Sequence, residues 1–327
     1  MKVFQKDYGY AVGVIRALES RLLSIPQYER MVDSVTAEEA YLVLNDTDFA
    51  MRVNDFPQVH NFEKVLENSL LDTKEHLLKI TPNNYVLDII WKWYDFHNFK
   101  VLLKTFLRDE KWESVENLLS PFASIKIEDM KAFILDELEL PEFITAKKEV
   151  LDNFNKYQSV HFIDFILDKF LYKSLLQWSK KIKEKLLTKF LHQKINISNL
   201  QMFLRTTETP EIRNESFIKG SDISQEEMEE LFLNFDLEEV ISKIFSGDSF
   251  LIKEFTENKS YSIFEKISND ALTRFIHESR YIPTGPVPIF GYWWARQNAA
   301  LIIRSILVGK LSNIDSELIR KRTNRLY

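Results

Sequence analysis

The residues of this chain whose types and spacing could do chemistry are few. Asp164 and Asp168 stand four apart, which puts both carboxylates on one face if the segment is helical. Such a pair could share a proton as an acid/base couple or hold a cation; the plainer reading is a face that is solvated or paired with lysines on a neighbouring helix. No glycine-rich loop stands nearby to support catalysis. The six histidines, at 60, 76, 97, 161, 192 and 277, never pair at the three- to five-residue spacing of a helical metal site. With no cysteine there is no thiolate ligand, no cysteine nucleophile and no disulfide framework. Neither phosphate-binding glycine motif is present, nor a serine nucleophile elbow. The expectation is a protein without catalytic residues, metal or cofactor.

A different pattern carries more information. Asn98-Phe99-Lys100-Val101-Leu102-Leu103-Lys104 is echoed by Asn199-Leu200-Gln201-Met202-Phe203-Leu204-Arg205 and by Asn298-Ala299-Ala300-Leu301-Ile302-Ile303-Arg304. Each copy is an asparagine, a mostly apolar run and a cation six residues on, and the copies return about every hundred residues. Even spacing of this kind predicts three copies of one helical unit. We divide the chain into units 1–105, 106–210 and 211–327 that share a core, with pseudo-threefold character. His97, beside the first asparagine, reads as a structural hydrogen-bonding group.

Candidate binding residues cluster toward the end of the chain. Phe290, Tyr292, Trp293 and Trp294 precede an apolar helix; Trp293 could anchor a partner, although core packing is the simpler role. Arg296, Arg304 and Lys310 lie on that same helix. A cation in such a setting needs a carboxylate or a route to water, so the three form internal pairs or face a polar central opening. Arg320, Lys321, Arg322 and Arg325 complement the dipole at the end of a last short helix, and Arg322 could also meet an acidic partner.

The elements that must position these groups are helices. The chain has 327 residues and only 7 glycines, with none from 14 to 219. Ordinary usage is roughly 7 % glycine, about three times as much. A chain so poor in glycine cannot readily make tight hairpins, and long helices joined by polar connections are expected. Residues 8–23 place Tyr8, Ala11, Val12, Ile15, Leu18 and Leu22 on one face. Residues 58–80 and 83–109 read as two long helices separated by Thr81-Pro82. The stretch from Ser159 to about Phe190 reads as the longest, on the order of 45 Å at 1.5 Å per residue. Thr36 to Glu39, Ser224 to Glu227 and Ser312 to Asp315 read as capping boxes. Gly309 is expected to cap the helix that follows Pro286. The polar stretch 206–224 reads as a connection between units.

A net charge of −6 argues against a general nucleic-acid surface. The first residues lack the apolar run of a signal peptide, and no stretch approaches the roughly 18–20 apolar residues of a membrane helix. The expected setting is cytoplasmic, peripheral to any membrane and without direct insertion.

At these residues the chain resembles the C subunit of prokaryotic V-type (A/V-type) rotary ATPases, a family related to the eukaryotic V-ATPase d subunit. The similarity is clearest in Trp93-Tyr94-Asp95-Phe96-His97-Asn98-Phe99-Lys100. It extends to Asn196-Ile197-Ser198-Asn199-Leu200, to Pro286 through Tyr292 and Arg304, to Gly309-Lys310, and to Glu317-Leu318-Ile319-Arg320 with Tyr327. Tyr8, Tyr10, Ile15-Arg16-Ala17-Leu18-Glu19 and Leu22-Leu23 fit as well. The last long helix departs from the family pattern, with Gln297 and Ala299 where carboxylates are usual. The family register would also place the third asparagine at Ile302. The resemblance implies an all-α funnel of three similar units that performs no chemistry. It would be a socket holding the central-shaft subunits (D/F type) and sitting on the membrane rotor ring, transmitting torque for ATP-coupled H+ or Na+ transport. The rival reading is an α-solenoid adaptor that binds a peptide or helix in a concave groove.

Overall fold

Helix starts in this protein are written in short polar side chains. In the computed structural model, which describes residues 8–157, 160–205, 216–233, 237–245, 253 and 261–327, Ser24 accepts from the Gln27 amide. The Gln27 side chain returns the bond to the Ser24 N–H at 2.9 Å, a reciprocal cap for α2 (Ile25–Asp33) that follows α1 (Gly9–Glu19). Thr36 caps α3 (Ala37–Leu42) through the Glu39 amide at 3.1 Å, while the Glu39 carboxylate takes the Val35 N–H. The chain continues as α4 (Ala50–Asp55), α5 (Phe62–Ile80), α6 (Tyr85–Leu107), α7 (Ile127–Ile134), α8 (Pro141–Tyr157), α9 (His161–Ile182) and α10 (Lys185–Arg205). Then come α11 (Gln225–Leu233), α12 (Leu237–Ile244), α13 (Tyr261–His277), α14 (Val287–Leu311) and α15 (Ser316–Arg322). Among the described residues there is no strand, and no helix is long and apolar enough to cross a membrane. The architecture is all-α.

The chain divides into two compact units, Met1–Val86 with Ile241–Tyr327, and Leu87–Val240. In the first, α14 is the central element: it packs against α1, α3, α5, α13 and α15 and is buried on most of its surface. A helix that is apolar nearly all round has to be wrapped in this way. In the second, α9 packs against both α8 and α10, and Phe96, Phe99, Phe133 and Phe143 form an aromatic centre with ring separations from 4.8 to 6.3 Å.

Two details differ from the sequence reading. The apolar stripe running past Phe170, Trp178, Ile182, Leu186 and Phe190 belongs to two helices. Lys183 adopts the left-handed conformation (φ 60°) and its N–H bonds to the Ser179 carbonyl at 2.9 Å, ending α9. The chain then turns back, so that the Tyr172 and Ser198 hydroxyls meet at 2.7 Å. Periodicity reports which residues face the core; it is blind to a one-residue left-handed break. Gly309, in turn, lies inside α14 and does not cap it. Asn313, at φ 54°, takes that place, and the Ile314 N–H reaches back to the Gly309 carbonyl at 2.8 Å. Gly309 is small for another reason: a Cβ there would lie 2.8 Å from Ile319 of α15. The cap of α15 is Asp315, which accepts from the Glu317 amide. Within the polar connection expected at 206–224, residues 206–215 lie outside those described.

Candidate partner-binding surface

The asparagine of the recurring signature is a clamp on backbone. Asn98, buried on α6, donates to the Ser120 carbonyl at 2.9 Å and accepts from the Ser120 N–H at 2.7 Å. Asn199, buried on α10, treats Ile218 in the same way, at 3.0 and 2.9 Å. In both cases one amide side chain satisfies both backbone groups of a single residue about twenty positions downstream. Buried backbone groups off the helical ladder need such partners. Asn298 of α14 makes the donor half only, to the Arg325 carbonyl at 2.5 Å, and its oxygen takes the Asn269 side-chain amide at 2.9 Å. Of the two registers for the third copy, the one at Asn298 places an asparagine on a downstream carbonyl, while Ile302 is fully buried.

Asp95, one turn before Asn98, extends the device. Its carboxylate accepts from the Ser124 and Ile125 amides at 2.7 and 3.0 Å and from the Ser124 hydroxyl. Burial pushes its carboxyl above the ordinary range, and those three donors oppose the shift. His97 contacts the Leu118 carbonyl at 2.8 Å, so three residues of one helical turn tie down the segment 118–125.

Among the described side chains, the cations of the signature are paired. Lys104 meets Asp164 at 2.6 Å and Lys100 meets Asp168 at 2.6 Å, two rungs between α6 and α9. The carboxylates whose spacing could have served catalysis are thus neutralised by lysines on a neighbouring helix. The side chain of Arg205 lies outside those described. Arg304 forms a forked ion pair with Glu63 at 2.7 Å.

The remaining sequence candidates fall at different depths. Trp293 is 3 % exposed and lies in the core with Phe290 and Tyr292. Arg296 is 2 % exposed; it pairs with Asp48, donates to Ser69 at 2.7 Å and Thr73 at 3.2 Å, and lies 4.3 Å above the Phe49 ring. Burial raises the Asp48 carboxyl and Arg296 pulls it back. Burial likewise pushes the nearby Tyr292 hydroxyl up to about 12. Lys310 donates to the Ser34 carbonyl at 2.6 Å and to Ser316 at 2.9 Å, tying α14 to the end of α2 and to α15. Arg322 is exposed at the end of α15. Arg320 beside it is held by Glu29, Asp33 and Glu317. Internal pairing therefore accounts for Arg296, Arg304 and Lys310, and the groups open to a partner are fewer.

What remains open on α14 is a stripe that the sequence reading did not single out. Leu301 and Val308 are 41 % and 46 % exposed, and Arg304 and Ser305 between them are exposed too. Spacings of three and four place all four on one face. Leu301 and Val308 thus flank the Arg304–Glu63 ion pair on the one open face of α14. The signal was present in the sequence as apolar residues on every face of α14, which cannot tell the one face left uncovered from the rest.

Known proteins resemble this chain along most of its length. The model of the ATP synthase (C/AC39) subunit family matches residues 11–322. The C subunit of the A-type ATP synthase of Methanocaldococcus jannaschii is 24 % identical over 344 residues, covering 96 % of this chain and 85 % of the relative. The proteins of the same name from Methanococcoides burtonii and Methanosarcina acetivorans are each 24 % identical. They cover 97 % and 96 % of this chain and 94 % and 92 % of their own lengths.

Proposed function

The chain belongs to the ATP synthase (C/AC39) subunit family, and on that premise we propose that it is the non-catalytic central-stalk subunit of a V-type rotary ATPase. In this reading it is a socket between the soluble rotor shaft and the membrane rotor ring, and it passes torque between them during ATP-coupled transport of H+ or Na+. Its partners are the shaft subunits of the D/F type and the ring itself, and it acts at the membrane face of the complex without entering the bilayer. The observation that carries the proposal is the family match across residues 11–322.

The residue chemistry supports a mechanical role. The Asn98 and Asn199 clamps repeat one construction, with a partial third at Asn298, as a triplication into units 1–105, 106–210 and 211–327 would leave. We take the three units to close into a funnel with pseudo-threefold symmetry. A part that transmits torque must resist bending, and its connections are held here by bonds from helix side chains to loop backbone. Arg296, Lys310 and Trp293 stiffen α14 from beneath. The stripe Leu301, Arg304, Ser305 and Val308, together with Arg322, is the face we assign to a partner.

Affinity purification of the tagged full chain from membranes tests the assignment. Rotor-ring and nucleotide-binding subunits should come with it, and recovery as a free monomer would overturn it. Leu301→Asp with Val308→Asp should reduce that recovery at least tenfold while leaving the helical circular-dichroism spectrum unchanged.

A further inference from the structure

The unit formed by residues 87–240 contains an open cavity of about 530 Å3 whose charged lining, among the described residues, is all of one sign. Among the described residues Lys169, Lys173 and Lys180 of α9 line it together with Lys219, and no carboxylate does. Residues spaced by four and seven share one helix face, so the three α9 lysines form a single column. Lys173, Lys180 and Lys219 are exposed; Lys169 touches Glu149, outside the cavity, at 3.4 Å. Leu176 and the buried Phe217 add an apolar wall, and Gln177 adds an amide.

The position of Lys219 is set from behind. Asn199 grips both backbone groups of Ile218, the residue before it. Gly220, the residue after it, adopts φ 103°, and a Cβ there would come within 2.5 Å of Leu176 Cδ1. That positive φ strains any residue with a side chain, so glycine lets the backbone lie close against Leu176 of α9.

A second cavity, about 740 Å3 beside residues 323–327, is built differently: its cations sit among Glu19, Glu29 and Asp270, with Arg320 on Glu29 and Lys266 on Asp270. Three exposed ammonium groups around one concavity, with Lys169 drawn to Glu149, repel one another and concentrate a positive field there, on a chain of net charge −6. A multivalent anion relieves that repulsion. Lysine ammonium groups bind phosphate oxygens as point charges, so several of them around one hollow can share the oxygens of one phosphate group. The geometry points to this cavity as a binding site for a phosphate-bearing ligand, either a free polyphosphate or the headgroup of an anionic lipid.

Calorimetric titration of the full chain with inorganic pyrophosphate at low salt tests the site, with flotation on phosphatidylglycerol and phosphatidylcholine vesicles as the second arm. Lys173→Gln with Lys219→Gln changes two exposed side chains and should weaken pyrophosphate binding at least tenfold. Lys189→Gln, exposed but outside the cavity, should change it less than twofold. Flotation with phosphatidylglycerol that is lost in the double variant and competed by pyrophosphate identifies the lipid headgroup as the source. Pyrophosphate binding without flotation identifies a soluble ligand. The proposal is overturned if wild-type protein shows no saturable pyrophosphate binding, or if binding survives the double substitution. Co-purification with rotor subunits is a separate readout, so either result leaves the stalk assignment to its own test.

Discussion

Arg296 on α14 pairs with Asp48, at the start of α4, and holds its guanidinium 4.3 Å above the neighbouring Phe49 ring. A helix near one end of the chain is thereby joined to a short loop near the other through a charge that is 2 % exposed. Replacing Arg296 by Met leaves Asp48 buried without its counter-charge, which costs about 3–5 kcal/mol. Asp48→Asn in the same protein removes the stranded charge, so the double variant should be more stable than R296M alone. Urea denaturation of the two single variants and the double variant gives the coupling, and additive effects would show that the pair is not linked.

The asparagine clamps make a second prediction. Asn98→Ala strips the half-buried N–H and carbonyl of Ser120 of their partner and Asn199→Ala the buried ones of Ile218, and each should cost about 1–3 kcal/mol. Hydrogen exchange localises the effect: protection should fall at the Ser120 amide in the first variant and at the Ile218 amide in the second. Loss confined to the helix that carries the asparagine would argue against the clamp as the source.

The helical class and the break between α5 and α6 were legible in the sequence because glycine scarcity, periodicity and Thr81-Pro82 all point the same way, although α5 starts at Phe62, four residues later than the 58 read from the sequence. The recurring asparagine was legible as a pattern; its task was not, since Ser120 and Ile218 carry no mark that their backbone needs a partner. The need of Arg296 for a carboxylate or a route to water followed from its place on an apolar helix, but nothing in Asp46-Thr47-Asp48 singles out Asp48. The ends of α9 and α14 were missed for a shared reason. Lys183 and Asn313 take up left-handed backbone that residue type permits without announcing.

Three helical glycines should respond to alanine with opposite signs. Gly13 has nothing within 4 Å of where a Cβ would stand, so Gly13→Ala should stabilise by about 0.5–1 kcal/mol through helix propensity. At Gly309 the same atom meets Ile319, and Gly309→Ala should destabilise by about 1–3 kcal/mol. Ile319→Ala in the Gly309→Ala background removes the clash and should recover part of that loss. Gly291 is the tightest of the three: a Cβ would collide with Ser279, whose hydroxyl bonds Tyr327 at 2.6 Å. Thermal melts rank all four variants, and a stabilised Gly309→Ala would refute the packing account.

The pH dependence near the chain's end has a definite sign. Burial lowers the imidazole pKa of His277, and the nearby Arg280 and Arg325 lower it further. Arg280 contacts the ring nitrogen at 3.2 Å and stacks 4.9 Å from the Tyr327 ring, which itself meets His277 edge-on. A proton on His277 would sit among these cations, so the folded protein keeps it neutral. The unfolded chain takes up that proton at higher pH, near the ordinary value of about 6.5. The contribution of His277 to stability is therefore fully present above that value and is lost as pH falls through the lower folded one. A ring-proton titration by NMR should give an inflection below 6.5, and His277→Gln should flatten the fall in stability between about pH 7 and 5. An inflection above 6.5 would mean that Glu19, whose charge acts in the opposite direction, outweighs the two arginines.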